Sequence, residues 1–185
     1  MENCSVKDLM IPISEYATVV LGTTLTDAII ALEHAQEAYT GSKYQHRAIL
    51  VLDKNGQVAG KIGQLRALKA IEPEYDFNDE IEAVRNYNFS EEYTAQLRDK
   101  YRSNEPILKT EQLKAIATKK VEEFMQEPMP GEFVAENCSL DTAIHKLVAG
   151  RHQSLLVTRE EKIIGILRMA DVFAAVFHEI RSLDV

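Results

Sequence analysis

Thr24-Leu25-Thr26-Asp27-Ala28-Ile29-Ile30-Ala31-Leu32 is answered, 115 positions further along the chain, by Ser139-Leu140-Asp141-Thr142-Ala143-Ile144-His145-Lys146-Leu147. Each stretch opens on a hydroxyl residue that can accept from the exposed N–H groups of a helix start. Each then places apolar residues at spacings of 3, 4 and 7, the spacing that lines one face of an α-helix: Leu25, Ala28, Ile29, Leu32 and Leu140, Ala143, Ile144, Leu147. An amphipathic helix is written twice.

The same register runs backwards without a gap, putting Val19 on Val134, Met10 on Met125 and Val6 on Val121. Running forwards, the first copy carries about nine extra residues around 34–45. The offset then becomes 106, so that Ile49-Leu50-Val51 meets Leu155-Leu156-Val157, and a one-residue slip sets Gly60 on Gly165. An internal repeat of this length governs the architecture more strongly than any local propensity.

Both copies read alike element by element. A short extended segment, Tyr16–Val20 or Glu132–Ala135, precedes the helix. Two apolar runs follow it, 48–53 with 58–62 and 154–158 with 163–167, separated by the turn-like stretches DKNGQ and REEK. This is the pattern of a hairpin of two buried strands. A second helix closes each unit, over 65–71 and 170–183. Units of about 60 residues are marginal alone and are expected to bury their sheets against each other.

Residues 73–120 repeat nothing. An acidic and aromatic stretch is followed by SEEYTAQLRDKYRS and TEQLKAIATKKVEEFM, which have helical spacing, cap-like Ser90 and Thr110, and Pro106 as a break. The reading is an inserted arm of about two helices, the second leading into the second copy, because so long a structureless loop is uncommon. Its aromatic residues Tyr87, Phe89, Tyr93 and Tyr101 are expected to pack against the units or a second chain.

The chain has 185 residues, 45% of them hydrophobic, with 21 Lys+Arg against 29 Asp+Glu. That balance gives no general support to a nucleic-acid partner, which would be held through a basic face. Cys4 and Cys138 lie in neither a CxxC nor a zinc-finger spacing, and a reducing cytoplasm is the expected location. No apolar run is long enough for a signal peptide or a membrane span, so no membrane association is expected. Asp76, Asp79, Glu80 and Glu82 lack EF-hand spacing, the five histidines form no ligand cluster, and no catalytic motif is present. The expectation is a protein that is not an enzyme, holds no metal and requires no cofactor.

With the repeat in place, the chain resembles a tandem pair of cystathionine-beta-synthase-type (CBS) domains. The resemblance covers about 6–72 and 115–183. It rests on Val6-Lys7-Asp8-Leu9-Met10 and Val121-Glu122-Glu123-Phe124-Met125, on the Thr/Ser-Leu helix starts, and on the strand–turn–strand ending in Gly60 or Gly165. It implies an α/β (α+β) fold of two βαββα units packed as a pseudo-twofold pair, with the helical arm between them. The implied organisation is 1–72 for the first CBS domain, 73–114 for the insert and 115–185 for the second. Function follows as a non-enzymatic sensor of an adenosine nucleotide (AMP, ADP, ATP or S-adenosylmethionine), acting as a homodimer. A ligand-independent dimeric scaffold, or a regulatory subunit of a separate enzyme or transporter, is the alternative.

The family's nucleotide fingerprint, G-h-x-[ST]-x-x-D, places a hydroxyl at phosphate and a carboxylate at the ribose, where it can accept from both sugar hydroxyls. The second copy has Gly165-Ile166-Leu167-Arg168-Met169-Ala170-Asp171, which keeps the Asp and sets Arg168 at the hydroxyl position. The first has Gly60-Lys61-Ile62-Gly63-Gln64-Leu65-Arg66, which keeps neither. The nucleotide-binding residues implied are Asp171, Arg168, Arg151, Phe133, Val134 and Arg47, with Lys61, Arg66 and His152 adding local positive charge. Two readings of Asp171 stay open: ribose binding, or a carboxylate favoured at a helix start with no ligand. Arg168 is likewise either a phosphate contact or half of an ordinary salt bridge.

Overall fold

The computed structural model describes residues 4–41, 45–71, 92 and 108–183. The first half runs β1 (Ile11–Pro12), β2 (Thr18–Val20), α1 (Leu25–Ala38), β3 (Ala48–Leu52), β4 (Val58–Gly63) and α2 (Gln64–Ile71). After α3 (Thr110–Ala117), the second half runs β5 (Phe133–Ala135), α4 (Leu140–Ala149), β6 (Ser154–Arg159), β7 (Lys162–Arg168) and α5 (Met169–Ser182). The first predicted helix of the arm and its aromatic and acidic residues lie outside the described residues. Thr110 is the first residue of α3 rather than its cap, because Lys109 holds the extended N-cap position and no side chain caps there.

The repeat register read from the sequence is the register of the sheets. Thr18 pairs with Leu50 in parallel, and Phe133 pairs with Leu156 in the same way. The antiparallel hairpins match too: Val51 faces Gly60, Val157 faces Gly165, and each hairpin is irregular at the next residue. The predicted caps form, with Thr24 Oγ1 accepting from the Asp27 N–H at 3.2 Å and Ser139 Oγ from the Thr142 N–H at 3.3 Å. In the first hairpin Asp53 Oδ1 accepts from the N–H groups of Asn55 and Gln57, both at 2.8 Å, and Gly56 takes φ +73°. The second hairpin turns on Glu160 and Glu161, both at positive φ, 47° and 64°.

Each entry segment crosses to the other copy. Strand β1 lies antiparallel on β7, Ile11 opposite Ile166, giving a four-stranded sheet in the order β1-β7-β6-β5. The repeat-equivalent residue Gln126 bridges Lys61 at the edge of the β2-β3-β4 sheet, exchanging backbone hydrogen bonds of 3.0 and 2.9 Å. Val6 donates to the Cys138 carbonyl and Val121 to that of Thr23, both at 3.0 Å. The consequence for packing is that Val6, fully buried, belongs to the core of the second unit, and Val121, equally buried, to that of the first.

Three apolar clusters follow from the alternation along β3 and β6. Ile49 and Val51 point under the helices of the first unit, and Leu155 and Val157 under those of the second. The residues between them, Leu50 and Leu156, meet in a shared cluster with Ile11, Tyr16, Val58 and Ile166. These strands are buried on both faces, as continuous apolar runs require. The shared cluster is the expected packing of sheet on sheet, and burial of this kind is the main stabilising term. Among the described residues no helix is long and apolar enough to cross a membrane.

Candidate functional site

Strand β7 carries its chemistry at its last residue. Leu167 faces the core of the second unit and Ile166 the shared cluster, so Arg168 emerges on the shared side. It is only 5% exposed. The chain turns into α5 there, with Arg168 at the N-cap position and Asp171 in the first helical turn, where the helix dipole favours a carboxylate.

The guanidinium takes both oxygens of that carboxylate: Nε donates to Oδ2 at 2.5 Å and Nη2 to Oδ1 at 2.7 Å. This fork-to-carboxylate geometry is among the stronger hydrogen-bonded arrangements available to side chains. The first unit supplies the surroundings. Arg168 lies 5.5 Å from the centre of the Tyr39 ring, and its Nη1 stands 3.4 Å from His46 Nδ1. The His46 ring sits between Tyr16 and Tyr39, at 4.4 and 4.6 Å between centroids.

Because a guanidinium only donates, His46 Nδ1 must accept and the ring proton belongs on Nε2. Among the described residues, Nε2 has no hydrogen-bond partner although it is buried. Burial, and then the charge of Arg168, hold the His46 pKa below its ordinary value, against weaker opposing pulls from Asp171 and the Glu15 backbone. Burial likewise pushes the Tyr16 hydroxyl up to about 12, against a lowering influence from Arg168.

The pseudo-twofold partner of this site is a different constellation. His152 is the repeat equivalent of His46, each three residues ahead of the aligned apolar triplet. His152 Nδ1 lies 3.7 Å from Glu132 Oε1, to which Lys61 Nζ donates at 2.6 Å. The Glu132 side chain is 4% exposed, and its other oxygen accepts from the Met129 N–H at 3.2 Å. Where the second unit has Arg168 and Asp171, the first has Gly63 and the exposed Arg66.

Of the six residues predicted from sequence, the structure brings Arg168 and Asp171 together. Phe133 packs against the shared cluster, while Val134, next along β5, is turned into the second unit's core and is 3% exposed. Arg47 and Arg151 are exposed, the latter at φ 52°. Lys61, expected from the sequence to add local positive charge with Arg66 and His152, is paired with Glu132. Tyr16, Tyr39, His46 and Glu132 were missed. The repeat relation of the two histidines was a usable signal, whereas the tyrosines reach Arg168 only through the packing of one unit on the other. Among the described residues no cluster of His, Cys, Asp and Glu is placed to hold a metal.

Two βαββα units, joined through their sheets and each completed by the other's entry segment, define a paired-domain architecture. The sequence model of the CBS domain matches residues 121–178. The second unit is a CBS domain, and the chain as a whole has the fold of a tandem CBS pair. A CBS domain-containing protein of unknown function from Bacillus anthracis is similar over 96% of both chains, with 20% identity and a TM-score of 0.63. CBSX2, solved in complex with AMP, is similar over 96% of this chain and 98% of its own, at 18% identity and a TM-score of 0.57. The cytosolic domain of the Mg2+ channel MgtE, solved in complex with ATP, aligns with 94% of this chain and 49% of its own, at 16% identity and a TM-score of 0.56. Comparison with curated proteins finds no match.

Proposed function

We propose that the chain is a non-catalytic regulatory module that binds an adenosine nucleotide at the Arg168–Asp171 position of its second CBS unit. The observation that carries this reading is the pairing itself: a carboxylate suited to a ribose diol and a guanidinium suited to a phosphate, side by side at the start of α5. The bound AMP and ATP of the two structural neighbours support the ligand class. Residues 1–72 and 115–185 are the two units in this reading, 73–114 is the arm that relays occupancy, and the module works in the cytoplasm as a homodimer. S-adenosylmethionine belongs to the same candidate class. Such relay requires the ligand to bind one arrangement of the units more tightly than another.

One observation favours a second reading, a ligand-independent scaffold. Both pseudo-twofold positions are occupied by internal ion pairs, Arg168–Asp171 and Lys61–Glu132. A thermal-shift panel of AMP, ADP, ATP and S-adenosylmethionine, read against Asp171→Ala, separates the two. A ligand of the folded state raises the melting temperature of the wild type and raises that of the variant less. Absence of any shift at millimolar ligand supports the scaffold.

A further inference from the structure

We infer that the seam between the two units is an acid-operated joint: protonation of His46 parts the units at Arg168, while they stay joined at Lys61–Glu132 on the pseudo-twofold side. This does not rest on the nucleotide reading. The two histidines are repeat equivalents in unlike company. His46 of the first unit meets a guanidinium of the second, with Arg168 Nη1 3.4 Å from its Nδ1. His152 of the second unit meets a carboxylate instead, with Glu132 Oε1 3.7 Å from its Nδ1, and that carboxylate in turn takes Lys61 from the first unit at 2.6 Å.

The His46 contact depends on a lone pair. A proton on Nδ1 turns the acceptor into a donor and sets two cations against each other. Turning the ring over gives no relief, because both nitrogens of an imidazolium donate. The ring is also held in place: it packs between Tyr16 and Tyr39, and the His46 carbonyl accepts from Gln36 Nε2 at 2.9 Å. Among the described residues, the groups around it are Arg168, Asp171, Tyr16, Tyr39 and the Glu15 backbone. Asp171 and the Glu15 backbone favour the charged ring, but burial and Arg168 outweigh them. On the other side the groups are Glu132 and Lys61. The His152 ring is seated against Gly131 and Gly150, where an added Cβ would stand 3.4 and 2.2 Å from its Nε2. A protonated ring held there donates to a carboxylate, and Glu132 keeps both Lys61 and the Met129 N–H. Mild acid therefore acts on the two sides in opposite senses.

The test is residue-resolved amide hydrogen exchange of the full chain without added ligand, corrected for the intrinsic pH dependence, on the wild type, His46→Gln and His152→Gln. An open joint in which the imidazole titrates at the ordinary 6.5, against a closed one that refuses the proton, grows in population by up to about 25-fold between about pH 7 and pH 5. Exchange in the stretches 46–48 and 168–171 is therefore expected to quicken by about 10-fold or more relative to 129–132 and 150–153. His46→Gln, which keeps an acceptor but does not titrate, is expected to lose this acid response, and His152→Gln to retain it. Equal changes on the two sides, or none on either, overturn the joint. So does a folded His46→Gln variant with the wild-type response. If circular dichroism shows that His46→Gln is unfolded, the contrast between the two sides of the wild type decides alone.

Discussion

The backbone carbonyl of Ile11 stands 2.6 Å from the place a Cβ on Gly165 would occupy. That distance is shorter than any real Cβ contact, and the carbonyl belongs to the crossing strand β1, so it has no rotamer by which to withdraw. The repeat-equivalent Gly60 is crowded mainly by the flexible end of Met125, with the Gln126 carbonyl at 3.2 Å. Gly165→Ala is therefore expected to destabilise by about 2–3 kcal/mol and Gly60→Ala by about half as much. Urea midpoints of the two variants check the order, and equal effects would contradict the asymmetry.

Arg168 and Asp171 are expected to behave as a coupled pair in stability. Asp171→Ala removes the carboxylate that pairs with the buried guanidinium and should cost about 3 kcal/mol. Adding Arg168→Met to that variant removes the buried positive charge while keeping apolar volume, and should recover a large part of the loss. A double-mutant cycle by chemical denaturation reads the coupling. Additive effects would show that the two side chains stabilise the fold independently.

His46 should make the fold sensitive to mild acid. Its folded pKa lies below the ordinary 6.5, with burial the largest cause and Arg168 the next. As pH falls through 6.5 the unfolded chain therefore takes up a proton that the folded chain refuses, and stability declines towards the folded value. The contribution is fully present above that range. The groups around the ring are Arg168, Asp171, Tyr16, Tyr39 and the Glu15 backbone, and Asp171 followed by Glu15 offset part of the guanidinium's repulsion of an imidazolium. His46→Gln keeps an acceptor for Arg168 but does not titrate. Denaturation midpoints measured between about pH 7 and pH 5 should slope less for the variant than for the wild type. Superimposable slopes would assign the acid sensitivity elsewhere.

The turn joining β6 and β7 offers a gain in stability. Glu160 and Glu161 both adopt positive φ, the backbone of a two-residue hairpin turn for which Asn-Gly is the favoured sequence. Replacing Glu160→Asn and Glu161→Gly together should stabilise by about 1 kcal/mol by relieving that conformation. The melting temperature reports the outcome, and a decrease would mean that the glutamates make compensating interactions worth more than the relief.

Much of this fold was legible because it is written twice. The helix faces beginning at Leu25 and Leu140, the caps Thr24 and Ser139, and the doubly buried strands around Leu50 and Leu156 all follow from spacing. The register also placed Arg168 opposite Gly63, and the sheets carry that same correspondence. Local spacing cannot say which unit receives a segment. Val6 and Val121 have the same apolar neighbours in pattern whichever core they enter, so the crossing was invisible. The residues around Arg168 were hidden for the same reason. Tyr16, Tyr39 and His46 are distant in sequence and meet the guanidinium only once Ile166 and Leu50 have brought the sheets together. Alternation along β5 held one unused clue, since neighbouring Phe133 and Val134 cannot both face the same side.

The crossing of the two entry segments has a consequence for what a single unit is. A solitary copy would present an empty groove alongside its last strand and a dangling segment that fits only someone else's groove. It could close the groove by borrowing the segment of an identical neighbour, which is reciprocal strand exchange between two molecules. In this chain the neighbour is covalently attached. Severing the connection between the halves should therefore yield fragments that fold by complementation when mixed and fail apart, each one supplying the other's missing edge.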